Sequence, residues 1–198
     1  MKFLRILLII LLLITFGCKE KDIFYYPNKD WFENEDSLIK IEHRAINFKQ
    51  LRNAIRNIYQ KEKVPYVEMQ KNDSTIKIIP LQYDNDGYYK HKNFVTISQD
   101  SVFTMTGSQK IDQLQSIMIK QYSNNGKKPE YAEDSKSVII IIDMPMDEKG
   151  IEAEKLLFKL ISTFNEINIK FDNTLELYLA FNFKQAPPPP PPPSRSVN

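Results

Sequence analysis

The sequence predicts an α+β fold in two layers, a small mixed sheet with helices packed on it, preceded by a long amphipathic helix. Three observations carry this expectation. Residues 138–142 are five consecutive branched apolar residues with no polar alternation, the pattern of a strand covered on both faces. Two stripes at helical spacing flank that run, one through Ile111, Leu114, Ile117 or Met118, and Tyr122, the other through Ile151, Leu156, Leu157, Leu160, Ile161 and Phe164. Short alternating segments at 94–98, 102–105 and 175–183 supply further strands.

In chain order, residues 1–17 come first. Lys2 and Arg5 precede an apolar run at 6–14, then Thr15-Phe16-Gly17 and the chain's single cysteine, Cys18. A basic start, a short apolar stretch and a small residue before a cut make a secretion signal. The run is shorter than the roughly 20 residues a spanning helix needs. Gly17 and Cys18 match the end of a bacterial lipoprotein signal, which the segment resembles. That resemblance implies acylation of Cys18, palmitate among the chains, and anchoring to the outer membrane on its periplasmic or surface side. Several acyl chains hold where one would be marginal. Lys19-Glu20-Lys21-Asp22 is similar to the charged tag of surface-exported Bacteroidetes lipoproteins; the alternative is a solvated tether.

Residues 18–36 read as lipid anchor and tether, with an aromatic patch at Phe24, Tyr25, Tyr26, Trp31 and Phe32 that either packs back on the domain or binds a partner. Residues 37–90 read as a helix plus short strands. Leu38, Ile41, Ala45, Phe48, Leu51, Ile55, Ile58 and Tyr59 recur every three or four residues, and Asp36 or Ser37 would cap the start. Such a helix over 38–59 would be about 33 Å long. Its other face would carry Lys40, Arg44, Lys49, Arg52 and Arg56, a basic surface for anionic lipid or an acidic partner, or simply a solvated face. Pro65 stops it. Val67 and Met69 alternate, and residues 75–81 form a strand with Pro80 at its end or on an edge. Residues 84–87 are a turn whose acidic spacing falls short of a calcium loop.

Residues 91–184 form the most regular unit. Gln99-Asp100-Ser101 joins two strands as a hairpin, Ser108 would cap the next helix, and Asn124-Asn125-Gly126 would end it. After the apolar strand closes at Asp143, a helix over 150–164 would end at Asn165. Residues 167–169 and 175–183 then read as strands around a turn at Asp172-Asn173. Residues 37–90 are either a degenerate copy of the unit that follows or an accidental echo of it, since Leu51, Tyr59, Pro65 and Tyr66 recur as Leu114, Tyr122, Pro129 and Tyr131 at offsets of 63–65 residues. The tail, 185–198, holds seven consecutive prolines at 187–193, a stiff rod of about 22 Å that is a spacer or a ligand for an aromatic groove.

Composition narrows the chemistry. The chain of 198 residues has 27 Lys+Arg against 25 Asp+Glu. Removing residues 1–17 leaves 25 of each sign, so a nucleic-acid partner is excluded as a field-driven interaction. One cysteine and two histidines supply neither a disulfide framework nor a zinc centre, and no cofactor is expected. Candidates for acid–base work are His91, Asp143, Asp147, Glu148 and Asp172; His91 and His43 both read as surface residues, and no nucleophile elbow occurs. The chain is therefore expected not to be an enzyme.

Residues 94–183 resemble the periplasmic domain of the ExbD/TolR biopolymer-transport family, on the opening strand at 94–98, the helix at 111–122, the strand ending in Asp143, and the helix at 150–164 with its exit. Members of that family carry a transmembrane helix with a proton-handling acid. This leader has no acid in its apolar run, so the proton-coupling role does not transfer. The resemblance implies dimerisation, or binding of envelope proteins or peptidoglycan. Expected partner contacts are Asp143, Pro187, Pro190, Pro193, Arg44, Arg52 and Arg56, with Cys18 as the lipid site. The expected function is that of a non-enzymatic envelope lipoprotein. Alternatives are an accessory subunit of a proton-motive-force-driven TonB/Tol-type system and a structural protein contacting membrane or wall.

Overall fold

A computed structural model describes residues 21–82 and 90–183. Cys18, the 84–87 turn and the proline run lie outside the described residues.

The chain builds two sheets over one core. The first has the order β1-β4-β3-β2, from β1 (Asp22–Tyr26), β2 (Leu38–Ile41), β3 (Val64–Lys71) and β4 (Ser74–Ile78). Between β2 and β3 lies helix α1 (Phe48–Tyr59), so those strands run parallel, Leu38 opposite Val64 and Ile41 opposite Val67. β3 and β4 form a hairpin whose turn uses a left-handed Asn72, φ 55°. β1 lies parallel on the outer side of β4.

The second sheet has the order β7-β6-β5-β8-β9. β5 (Phe94–Ser98), β6 (Ser101–Thr104) and β7 (Gly107–Lys110) form an antiparallel meander. The expected hairpin at 99–101 is present, with Gln99 at φ 43°. Helix α2 (Leu114–Ser123) then leads to β8 (Ile139–Met144), parallel to β5, and α3 (Gly150–Lys170) leads to β9 (Tyr178–Phe183), parallel to β8. Past the end of β4, Leu81 donates its N–H to the Leu179 carbonyl at 2.6 Å and so joins the two sheets.

The helix-facing core is continuous across both sheets. Phe48, Leu51 and Ile55 of α1, Val67 and Met69 of β3, Ile140 and Ile142 of β8, and Leu160 and Phe164 of α3 all belong to it. The intervening residues of β8, Ile139 and Ile141, pack on the other side with Phe94 and Ala180. The five-residue apolar run is thus covered on both faces, and the fold is the expected α+β class.

Several elements differ from expectation. The long helix over 38–59 is a strand, a single 3₁₀ turn (His43–Ala45) and a helix of 12 residues. The start is set by Asn47, not by Asp36 or Ser37. Its side chain accepts from the Gln50 N–H while Gln50 Oε1 accepts from the Asn47 N–H, both at 2.9 Å. Backbone pairing with β3 claims Leu38–Ile41. The segment read as a tether contributes β1, and part of its aromatic patch packs back, Phe32 edge-on with Tyr25 at 5.0 Å and with Tyr66 at 6.0 Å, while Phe24 and Trp31 stay exposed.

Ser108 lies in β7 and caps nothing; α2 begins after a 3₁₀ turn at Ile111–Gln113. Asn165 does not end α3, which continues to Lys170 because Ile167 extends the buried stripe by another turn. The strand expected at 167–169 is therefore helix. β4 pairs antiparallel with β3 and parallel with β1, whereas β8, the strand after α2, pairs parallel with both β5 and β9.

Candidate functional site

The fold divides the residues nominated for acid–base work between its two ends. β5 and β8 are parallel, with Phe94 opposite Ile139. His91 precedes β5 and Asp143 is near the end of β8, at opposite ends of the sheet. Asp147 and Glu148 precede the first turn of α3 and Asp172 follows its last, at opposite ends of a 21-residue helix. Among the described residues, no group of three His, Cys, Asp or Glu side chains is placed to hold a metal ion. No described helix is long and apolar enough to cross a membrane.

The expected basic face is also divided. Arg52 and Arg56 lie one turn apart on α1. Arg44 lies in the preceding 3₁₀ turn, where its Nε donates to Glu154 Oε2 at 2.6 Å and its Nη2 to Oε1 at 2.5 Å. Lys40 is on β2 and pairs with Glu68 at 3.1 Å. Asp143 sits opposite Asn182 in the β8–β9 ladder. None of these elements assembles one contiguous basic helix surface.

His43 is a correction: it is buried, with Nε2 3.0 Å from Glu154 Oε2. Glu154 itself is 1% exposed. Burial pushes its carboxyl upward, but the hydrogen bonds from Arg44 and His43 and the Arg44 charge together outweigh that, and its pKa lies below the ordinary value. The cluster ties the β2–α1 turn to α3. Around it the backbone is clamped, with the Phe48 N–H donating to the Glu148 carbonyl at 2.8 Å and the Gly150 N–H to the Ile46 carbonyl at 2.9 Å. This is a structural lock between elements.

An open apolar surface lies between β1 and α3. β1 is the terminal strand of its sheet, and among the described residues no strand lies on its outer side. Phe24 and Asn165 stand between two depressions. One, of about 340 Å³, lies toward Pro27, Phe164, Asn168 and Ile169; the other, of about 170 Å³, lies toward Lys71, Ser74, Phe158 and Ser162. Two exposed apolar side chains border it, Ile169 at 69% and Phe24 at 42%. Tyr26 anchors the wall: its ring packs edge-on against Phe164 at 6.0 Å and its hydroxyl donates to Asn165 Oδ1 at 2.8 Å. Burial raises the Tyr26 pKa, so the hydroxyl keeps its proton.

Sequence reasoning missed this groove because β1 was read as tether and α3 was ended at Asn165. The signal was available in Ile23-Phe24-Tyr25-Tyr26-Pro27, a β-favouring run closed by proline. Compared with models of protein families, with curated proteins and with solved structures, the chain matches none.

Proposed function

We propose that the chain is a non-enzymatic lipoprotein of the bacterial envelope, held by acylated Cys18, whose α+β domain binds another envelope protein in the groove between β1 and α3. The observation that carries the binding role is the pairing of a terminal strand with a helix that leaves Ile169 and Phe24 exposed beside it. A terminal strand offers a row of backbone donors and acceptors to an extended segment, and the adjacent depression takes its apolar side chains. The anchor is supported by Gly17-Cys18 after a short apolar leader.

A narrower form makes the partner a component of an energy-transducing transport complex. What supports it is the order β-β-β-α-β-α-β from Phe94, close to that of the family the sequence resembles.

A photo-reactive amino acid placed at Ile169 tests the binding role in intact cells, with Lys110 on β7 as the control position. The expected result is a discrete adduct with one envelope protein from Ile169 and none from Lys110. Equal or absent labelling at both positions would contradict it.

A further inference from the structure

Only Lys19, Glu20 and Lys21 separate Cys18 from Asp22, where β1 opens. Four peptide units reach at most about 14 Å. Resting on the acylated cysteine of the proposed function, we infer that the domain docks on its own bilayer through Ile23, Phe24 and the β3–β4 hairpin tip, with the boundary between headgroups and acyl chains as the receiving surface.

The ladder brings these groups to one end of the first sheet. Asp22 lies opposite Ser74 on β4, and Ser74 opposite Lys71 on β3. The turn residues Asn72 and Asp73 are exposed beside them. Behind this row, the Lys71 ammonium sits over the Phe158 ring, 5.5 Å from its centroid, which ties the hairpin tip to α3. Ile23 and Phe24 point to opposite faces of β1, because side chains alternate along a strand. Both stand at the end of β1 nearest Cys18, so that end meets the surface and the edge from Tyr25 onward stays free for an extended segment.

Charge makes the docking specific in kind. Lys19, Lys21 and Lys71 are matched by Glu20, Asp22 and Asp73. With no excess of positive charge, attraction to anionic lipid contributes little, and buried apolar area supplies the contact. Docking is therefore expected to depend weakly on salt and on the anionic lipid fraction. The larger depression, toward Asn168 and Ile169, lies further along α3 and stays open to a partner.

The test uses the full-length chain purified from membranes, in which acylated Cys18 leaves no other thiol. An environment-sensitive NBD label is attached at Ile23→Cys, at Asp73→Cys and, as control, at Lys110→Cys, and each protein is placed in phosphatidylcholine vesicles with or without phosphatidylglycerol. The expected result is blue-shifted emission at positions 23 and 73, quenched by lipids carrying a shallow acyl-chain quencher and unchanged by salt, with neither effect at 110. Water-like emission at both 23 and 73 in a chain whose intact mass shows acylation would overturn the docking and leave the anchor standing. An intact mass without acyl chains would overturn the anchor and the docking together. Quenching that appears only with phosphatidylglycerol and disappears in salt would overturn the apolar mode of contact.

Discussion

His43 Nε2 stands 3.0 Å from Glu154 Oε2, although the two residues are 111 positions apart and both are buried. That contact, with the Arg44 guanidinium on the same carboxylate, joins the turn after β2 to the first turns of α3. A carboxylate held this way is ionised in the folded chain and binds a proton more readily once unfolded.

Because the folded Glu154 pKa is depressed, its contribution to stability is complete above the ordinary carboxylate value and is lost as pH falls through the depressed one. Denaturant melts of the chain and of Glu154→Gln should therefore differ most near neutral pH and converge only as pH falls below the depressed value. The variant is expected to be less stable at pH 7 by about 1–3 kcal/mol, since the amide offers one acceptor oxygen and no charge where His43 Nε2, Arg44 Nε and Arg44 Nη2 converge on two carboxylate oxygens.

Gly150 opens α3 against the chain that precedes α1. A Cβ built there would lie 1.9 Å from the His43 carbonyl oxygen and 3.1 Å from that of Ile46, both backbone atoms that cannot swing aside. Gly150→Ala is expected to destabilise the fold by about 3 kcal/mol or more, read from the midpoint of urea unfolding. A wild-type midpoint would contradict the close approach of the two segments.

Asn47 and Gln50 exchange side-chain and backbone hydrogen bonds at the start of α1. Asn47→Ala should cost about 1 kcal/mol in the same measurement. Asn47→Asp should lose far less, because a carboxylate can accept from the same N–H and favours a helix N-terminus. Substituting Asp36 and Ser37 with Ala should change stability little, since both lie in a separate 3₁₀ turn.

β1 belongs to the folded unit through Tyr26. Tyr26→Phe removes the hydroxyl bonded to Asn165 and should cost about 1 kcal/mol. Tyr26→Ala also empties the contact with Phe164 and should cost about 3–5 kcal/mol. If residues 18–36 were an independent tether, neither change would move the unfolding midpoint.

What the sequence revealed depended on how local the determinant was. Residues 138–142 were legible as a doubly covered strand because five branched side chains leave no polar face. The turn at Asp172-Asn173 was legible because both residues tolerate the positive φ they adopt, 54° and 58°. β2 was misread because Leu38, Ile41, Ala45 and Phe48 fall at helical spacing by coincidence, and the decisive Asn47–Gln50 box lay inside the apparent helix. β7 was illegible: Gly107-Ser108-Gln109-Lys110 has no apolar residue to alternate and is a strand only because β6 pairs with it. The groove was hidden for a similar reason. It needs β1 as a strand and the last turns of α3 together, and both lay past the boundaries that local signals suggested. Glu154 has no local signal that marks it out, since its partners His43 and Arg44 come from a turn more than a hundred positions away.

The anchored-domain account is tested most directly by the intact mass of the protein extracted from membranes. It predicts a chain whose first residue is Cys18, heavier than the peptide by a diacylglyceryl group and an amino-terminal acyl chain. A chain that retains Met1 and carries an unmodified Cys18 thiol would contradict it.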